Sequence, residues 1–531
     1  MNKMKWLRDG TGWVWLTAGM LGIALFSVFS VLLIVGWQGL FYFWPQSLIE
    51  WNSNDTQSRI IGQIYQKNSS NWQPVDEELW TIKVANRGYN DLDFITVARS
   101  QLQDPLTPKD VAVVGRLKGG DFFGRVVGLK TELDGIIEPS IESIEQVVDA
   151  AQNSRDTIES LTDDNIKAKA YLIEQLKQKL SQPINDSGSR VLAQEIARLE
   201  EQVEASELRV TELREGLIAE QLIVEEMGGA KVAIPMLLVE QVYFPNAMNT
   251  FEKTTHWLVQ IGRFISDNPR EANSEGGVFP AIFGTVFLVI LMSIVVMPLG
   301  VIGAIYLHEY AGNNGFTKMI RVAVINLAGV PSIVYGVFGL GFFVYSFGGS
   351  IDALFYSEKL PTPTFGTPGL LWAALTLALL TLPVVIVATE EGLSRIPPGL
   401  KDGAYALGAT KFETIWTLVL PIARPALLTA LVLAIARAAG EVAPLMLVGV
   451  VKLAPNLPVD GQYPFIHLER KFMHLGFHIY DVGFQTSNLE SARPLVYATS
   501  MLLLTVVVGL NLTAIRIRNN LRKKYQTMGM E

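Results

Sequence analysis

Six apolar runs decide what this chain can fold into. Residues 14–35, 281–305, 322–347, 370–389, 427–451 and 495–515 carry Asp, Glu, Lys and Arg rarely or not at all. Each holds about 20 residues or more, and at ~1.5 Å rise per residue a helix of that length crosses a ~30 Å hydrocarbon layer. A hydrophobic share of 49% and a mean hydropathy of +0.29 exceed what a soluble chain of 531 residues needs to fill its cores. The expectation is an α-helical membrane protein with six transmembrane helices.

Lys3, Lys5 and Arg8 precede the first run as they would in a signal peptide. That run is longer than a typical signal h-region, however, and no A-x-A-like site ends it, so it is expected to stay as an anchor. Lys and Arg in short loops mark the cytoplasmic side. A layout with both termini cytoplasmic gathers Lys3, Lys5, Arg8, Lys318, Arg321, Arg395, Lys401, Lys411, Arg516, Arg518, Arg522, Lys523 and Lys524 on one side. It puts residues 38–279 on the other side, in the periplasm of a bacterium, as an insert between the first and second spans. That insert holds 23 Lys and Arg against 37 Asp and Glu, a net −14, while the rest of the chain carries +6. Such asymmetry suits an acidic outer domain and basic loops facing anionic lipid. The absence of cysteine is compatible with any compartment.

The insert has two textures. Residues 55–130 alternate short β-branched runs with turns, as in Val111-Ala112-Val113-Val114 joined through Lys118-Gly119-Gly120-Asp121 to Phe122-Phe123. This reads as a small antiparallel β domain. Residues 139–226 read as an antiparallel coiled-coil hairpin broken at Gln182-Pro183 and Ser187-Gly188-Ser189. Its second arm spaces Ile196, Val203, Val210, Leu217 and Val224 by heptads, with Leu199 and Leu213 between them. Residues 228–245 are expected to return as β structure, with 231–243 an edge strand containing Pro235. The insert is either a structural excrescence or a docking element for a soluble partner, and the sequence leaves both open.

Catalytic motifs are few. Gly403 and Gly408 have P-loop spacing, but Ala409 and Thr410 stand where Lys and Ser/Thr would follow. The five histidines form no H-E-x-x-H pair. His474 and His478 could share a helix face, yet with no third ligand they read as ordinary loop histidines. No metal, cofactor or catalytic residue is expected on this chain.

Two segments remain. The polar stretch 390–421 carries Asp402-Gly403-Ala404, then Gly408, then Leu418-Val419-Leu420-Pro421. Pro397-Pro398-Gly399 starts a helix there and Gly408 breaks it, so that Tyr405, Leu407, Phe412 and Trp416 crowd around a turn. An apolar knuckle in water needs a partner, or else lies on the membrane. The fifth run contains Arg437 near its middle, with Glu441 four residues on and on the same helix face. A charge at that depth costs at least ~2.5–3.5 kcal/mol, so Arg437 is expected to pair for packing or to face a polar path, where its planar fork can hold an oxyanion.

The spacing of the 390–421 stretch resembles the E-A-A-x3-G-x9-I-x-L-P loop of ABC importer permeases. Residues 275–515 further resemble the permease subunits of the bacterial phosphate ABC importer, PstA and PstC. The resemblance runs through Gly276-Gly277-Val278-Phe279-Pro280, Leu307-His308-Glu309-Tyr310, Gly329-Val330-Pro331-Ser332-Ile333-Val334-Tyr335-Gly336 and Ala436-Arg437-Ala438-Ala439-Gly440-Glu441. The ending Ala443-Pro444-Leu445 is more similar to PstA. Asp402-Gly403 replace the Glu-Ala of the loop consensus, and the long insert is absent from compact members.

The resemblance implies six helices of the type I ABC importer permease kind. It implies a second, PstC-like permease, a PstB-like ATPase dimer holding ATP and Mg, and a periplasmic PstS-like phosphate-binding protein. Nucleic acid is not among the expected partners; the lipid bilayer is. It assigns Arg437 and Glu441 to the substrate path. It assigns Asp402, Gly403, Ala404, Tyr405, Leu407, Gly408, Leu420 and Pro421 to the loop that docks on the ATPase. A permease for another oxyanion, such as sulfate or molybdate, and a membrane signalling scaffold are the alternatives.

Overall fold

The structure, a computed structural model, describes residues 11–53, 59–69, 78–89, 93–131, 135–137, 140–180, 186–312, 314–359, 361–461, 463–486 and 489–526. Lys3, Lys5, Arg8, the start of the expected hairpin at residue 139 and the Gln182-Pro183 break lie outside the described residues. The chain divides into two compact units, Met1–Phe43 with Ile261–Glu531, and Trp44–Gln260.

The first unit is a multi-pass membrane protein. Among the described residues, six of its helices are long and apolar enough to cross a bilayer: Gly12–Phe41, Phe279–Tyr310, Ser332–Phe355, Leu370–Ser394, Lys411–Ala438 and Ala492–Asn520. Two differ from the sequence expectation. The third span was expected over 322–347, but the chain forms a separate helix, Gly315–Leu327, and restarts at Ser332. Pro331 has no N–H to donate and drives Val330 out of the helical region, so the run is split there. The fifth span was expected over 427–451, yet its helix ends at Ala438 and turns at Ala439-Gly440 before a short helix, Leu445–Val448. Gly440 and Pro444 are poor helix continuers, and apolarity alone does not reveal the break.

Apolar side chains gain little from leaving lipid, so spans associate where small residues let backbones approach. Ala430, Ala434 and Ala438 form such a stripe on the fifth span, each fully buried. They share one core with Leu288, Val289, Met292 and Val296 of the second span and Ala373, Ala374, Leu377 and Ala378 of the fourth. The first span is apolar on all sides and exposed along its length, and Gly39 near its end lies against Tyr497 and Ala498 of the sixth.

Between the fifth and sixth spans the chain buries several polar groups. The Asp481 carboxylate is fully enclosed, with Lys452 Nζ at 3.1 Å. Asn273 Nδ2 donates to it at 3.2 Å and to the Lys452 carbonyl at 2.8 Å. His474 and His478 are not loop histidines. His474 caps the helix Leu475–Tyr480, its Nδ1 accepting from the Gly476 N–H at 3.1 Å, and His478 lies within that helix; both are buried. Burial disfavours the imidazolium and pushes each to about 4.

The second unit is built of two antiparallel sheets and a helical hairpin. Its strands are β1 Ile49–Ser53, β2 Arg59–Ser69, β3 Glu78–Lys83, β4 Phe94–Ala98, β5 Leu102–Leu106, β6 Val111–Arg116, β7 Phe122–Thr131, β8 Gly135–Ile137, β9 Gln221–Glu225, β10 Lys231–Pro235 and β11 Val239–Tyr243. One sheet has the order β4-β3-β2-β1-β5; the other runs β10-β9-β7-β6-β11, with β8 on β7. Strand β6 is buried on both faces. Val111 and Val113 pack with Leu48, Ile61 and Phe123, while Ala112 and Val114 pack with Val148, Val210 and Leu217 of the hairpin helices, as the period-2 side-chain alternation requires.

The hairpin runs from Ile141 through Leu180 and back along Asp186–Ala219. Ile173 clusters with Ile196 and Leu199, and Ile158 shares a cluster with Val210, so the arms are antiparallel. Two expectations fail here. The second arm includes Ser187-Gly188-Ser189 rather than breaking there, and residues 221–225 form strand β9 instead of continuing the helix to 226. Val224 extends the heptad pattern, but Glu220 interrupts the apolar seam, and Leu222 and Val224 find a fully buried place in the sheet. The expected strand 231–243 is two strands, at opposite edges of one sheet. Asn246 pins the ends of the unit: its Oδ1 accepts from the Leu48 N–H at 3.1 Å, and its Nδ2 donates to Leu48 O at 2.7 Å and Pro108 O at 2.8 Å.

The buried histidines generate a pH prediction. In the unfolded chain they take up protons near pH 6.5 and in the folded chain only near 4, so acid favours unfolding between those values. Thermal stability should be full above pH 6.5 and fall steadily towards pH 4. A His474→Asn/His478→Gln variant, in which Asn retains the cap, should show a flatter melting temperature across that range by differential scanning fluorimetry.

Candidate functional site

The fourth span ends at Ser394, and Pro397 and Pro398 open the helix Pro398–Ala406. Its far end is closed by backbone geometry. The Gly408 N–H donates to Tyr405 O at 3.0 Å and the Ala409 N–H to Ala404 O at 3.1 Å, the paired bonds of a Schellman stop. Gly408 sits at φ +88° with open space around it, so it is the left-handed backbone that selects glycine and not crowding. Two residues later Thr410 starts the next helix with a capping box: its N–H donates to Glu413 Oε2 at 2.8 Å, and the Glu413 N–H donates to the Thr410 hydroxyl at 3.3 Å.

This double termination holds apolar side chains out of the protein. Leu407 is 91% exposed, and Phe412 and Trp416 are about two-thirds exposed and stacked on each other at 6.1 Å. Asp402, Gly403 and Tyr405 are exposed beside them, and Ala404 is half-buried. Leu420 and Pro421 are not part of this knuckle. They lie half-buried within the fifth span, whose helix has already begun at Lys411.

A second contact lies outside the sequence expectation. Lys401 Nζ, on the helix before Gly408, pairs with Glu309 Oε1 at the end of the second span. Lys411 Nζ, after Gly408, donates to the Glu309 carbonyl and lies 4.8 Å from the centre of the Tyr310 ring. His308 Nδ1 stands 3.0 Å from Glu309 Oε1. The Glu309 side chain is only 8% exposed and that of Lys401 15%. The one available signal was a charged pair, His308-Glu309, closing an otherwise apolar run.

Arg437 occupies the last turn of the fifth-span helix, where the negative end of the helix dipole favours a cation. It is not mid-helix, and Glu441 does not share its helix: the chain turns through Ala439-Gly440 and brings the carboxylate back. The two charges are 3.7 Å apart, Nε to Oε1, an ion pair with no hydrogen bond. Nε is itself buried without a hydrogen-bond partner, while the guanidinium as a whole stays about one-third exposed. Ala434 and Ala438 face the core on either side of it, which fixes Arg437 at the core's edge. Another pair of sequence motifs meets nearby. A Cβ on Gly336 would come within 2.7 Å of Pro444 Cα, so only glycine lets the third span reach the segment after Glu441. Among the described residues no group of three or more His, Asp or Glu side chains is gathered to hold a metal ion.

Residues 296–524, holding the loop, Glu309 and the Arg437 turn, match the family of binding-protein-dependent transport system inner membrane components. The phosphate transport system permease protein PstA 1 of Mycobacterium tuberculosis is 33% identical over 244 residues, 46% of this chain and 71% of that protein. The chain belongs to this family, as a PstA-like ABC transporter permease. A probable ABC transporter permease protein of Bacillus subtilis, YqgH, is 36% identical over 195 residues, 36% of this permease and 59% of the relative. The phosphate transport system permease protein PstC of Xylella fastidiosa is 33% identical over 211 residues, 38% of this permease and 65% of the relative.

The Schellman stop makes the knuckle's order depend on Gly408. Gly408→Ala places a Cβ in left-handed backbone at a cost of about 1–2 kcal/mol, with no clash to relieve. Amide exchange at 407–410 should quicken in the purified permease while exchange in the spans stays unchanged, as measured by hydrogen–deuterium exchange mass spectrometry.

Proposed function

We propose that this permease forms half of the translocation path of an ATP-driven phosphate importer in the bacterial inner membrane. Both termini and the knuckle face the cytoplasm, and residues 38–279 face the periplasm. The partners in this reading are a second, PstC-like permease, two copies of an ATPase that carries ATP and Mg, and a periplasmic phosphate-binding protein. ATP-driven closure of the motor displaces the knuckle, the helices rock, and the path alternates between its two faces.

The observation that carries the substrate reading is the state of Arg437. Its donors are held beside a carboxylate without being consumed by it, and Nε is buried and unpaired. A buried donor left unpaired costs about 1–3 kcal/mol, which an oxyanion in passage recovers through two parallel N–H···O bonds. Glu441 then keeps the guanidinium compensated between passages and repels an anion that lingers. Phosphate is the oxyanion for which the relatives PstA 1 and PstC are named.

Arg437→Gln should abolish phosphate uptake in proteoliposomes while the ATPase still co-purifies, and Arg437→Lys should recover only part, because an ammonium lacks the planar fork. If the pair serves packing alone, Arg437→Gln with Glu441→Gln restores near-normal uptake, and the path role is lost. Competition of uptake by excess sulfate would reassign the oxyanion.

The knuckle supplies a separate test. Leu407→Asp puts a charge at its most exposed apolar position and should lower co-purification of the ATPase without altering the amount of permease in the membrane. Undiminished co-purification would place the docking surface elsewhere.

A further inference from the structure

The two lysines that meet the end of the second span come from opposite sides of the Gly408 turn. Lys401 belongs to the helix before it and Lys411 to the helix after it. Both converge on one residue, Lys401 on the Glu309 side chain and Lys411 on the Glu309 carbonyl. The knuckle is therefore held to the second span by both arms, not merely tethered through the fourth and fifth spans that continue it.

This contact is nearly enclosed although open space lies next to it. A cavity of about 550 Å³ opens beside it, lined by Leu307 and His308 of the second span's end, by Arg321, and by Val387, Glu390 and Glu391 of the fourth span. Next to that cavity the second and fourth spans close together, Ala304 and Leu307 packing with Ile386 and Leu393. A side chain next to empty space transmits displacement poorly, whereas a nearly enclosed ion pair resists separation, because parting it strands a charge away from water. Further along, the second span packs Val289, Met292 and Val296 against the alanine stripe that ends beside Arg437.

We propose that Glu309 is the transmission residue of this permease: the Lys401–Glu309–Lys411 clamp converts displacement of the knuckle into movement of the second span. This rests on the reading of the knuckle as the ATPase contact. Glu309 touches neither substrate nor nucleotide in this scheme; it acts by position.

The test uses the assembled transporter in proteoliposomes, with ATP hydrolysis and phosphate uptake measured on the same preparation. Glu309→Gln keeps the side chain's size and removes its charge. It should leave the ATPase bound and hydrolysing, yet lower phosphate moved per ATP by about tenfold, within the usual span of coupling energies. Lys401→Gln should do the same. The exchange Glu309→Lys with Lys401→Glu should restore the ratio, which a purely local structural role would not require. Because the chain has no cysteine, a Glu309→Cys/Lys401→Cys pair bridged by a short bifunctional thiol reagent gives a second route: uncoupled before bridging, coupled after. A normal uptake-to-hydrolysis ratio in Glu309→Gln overturns the proposal, as does a swap or bridge that restores nothing. Failure of the docking reading looks different, since Leu407→Asp would then leave the ATPase attached whatever Glu309 does.

Discussion

Three alanines one turn apart set the geometry of this permease. Ala430, Ala434 and Ala438 give the fifth span a face with nothing to keep its neighbours away, and the second and fourth spans close onto it. In lipid, close approach is what packing has to offer. Everything of chemical interest hangs from that contact: Arg437 sits at its edge because the next residue is in it, the Gly336–Pro444 approach lies just beyond it, and the helix that carries it begins at the knuckle. A larger residue at Ala434 would act on the site and the knuckle together, although it touches neither.

The charged groups show a division of labour by burial. Asp481 is fully enclosed, with Lys452 and Asn273 both on one carboxylate oxygen and the other left without a hydrogen-bond partner. Arg437 is partly enclosed and loosely compensated, the state expected of a charge that changes partner. Glu309 falls between these, nearly buried and paired with a lysine on the helix before the knuckle. Charge alone does not distinguish the three; enclosure does, complete at Asp481, nearly so at Glu309 and partial at Arg437.

Much of this was legible from the residues. Runs without charge announced the six spans, since no other signal in a sequence is as strong as 20 apolar residues, and the spacing of Ala404, Gly408 and the aromatic residues announced a terminated, exposed turn. What stayed hidden depended on partners distant in sequence or on the end of a pattern. The pairing of Glu309 with Lys401 spans 92 positions and leaves no periodicity. The fifth helix ends at Ala438 although the apolar run continues, because hydropathy does not register a turn at Gly440. Strand β9 carries the last heptad position of a helix that has already stopped, since Leu222 and Val224 are as well buried in a sheet as in a hairpin. Leu420 and Pro421 matched a loop pattern in sequence while belonging to the span in space.

Asn246 has a consequence of a mechanical kind. Two of its hydrogen bonds join the segment entering the second unit to the one leaving it, and a third reaches Pro108, so the unit is closed at its base by its own side chain. A pull that parts the two stems has to break the pair of bonds at Leu48. The spacing of its two stems is thus set at Leu48 and Asn246, at the base of the unit.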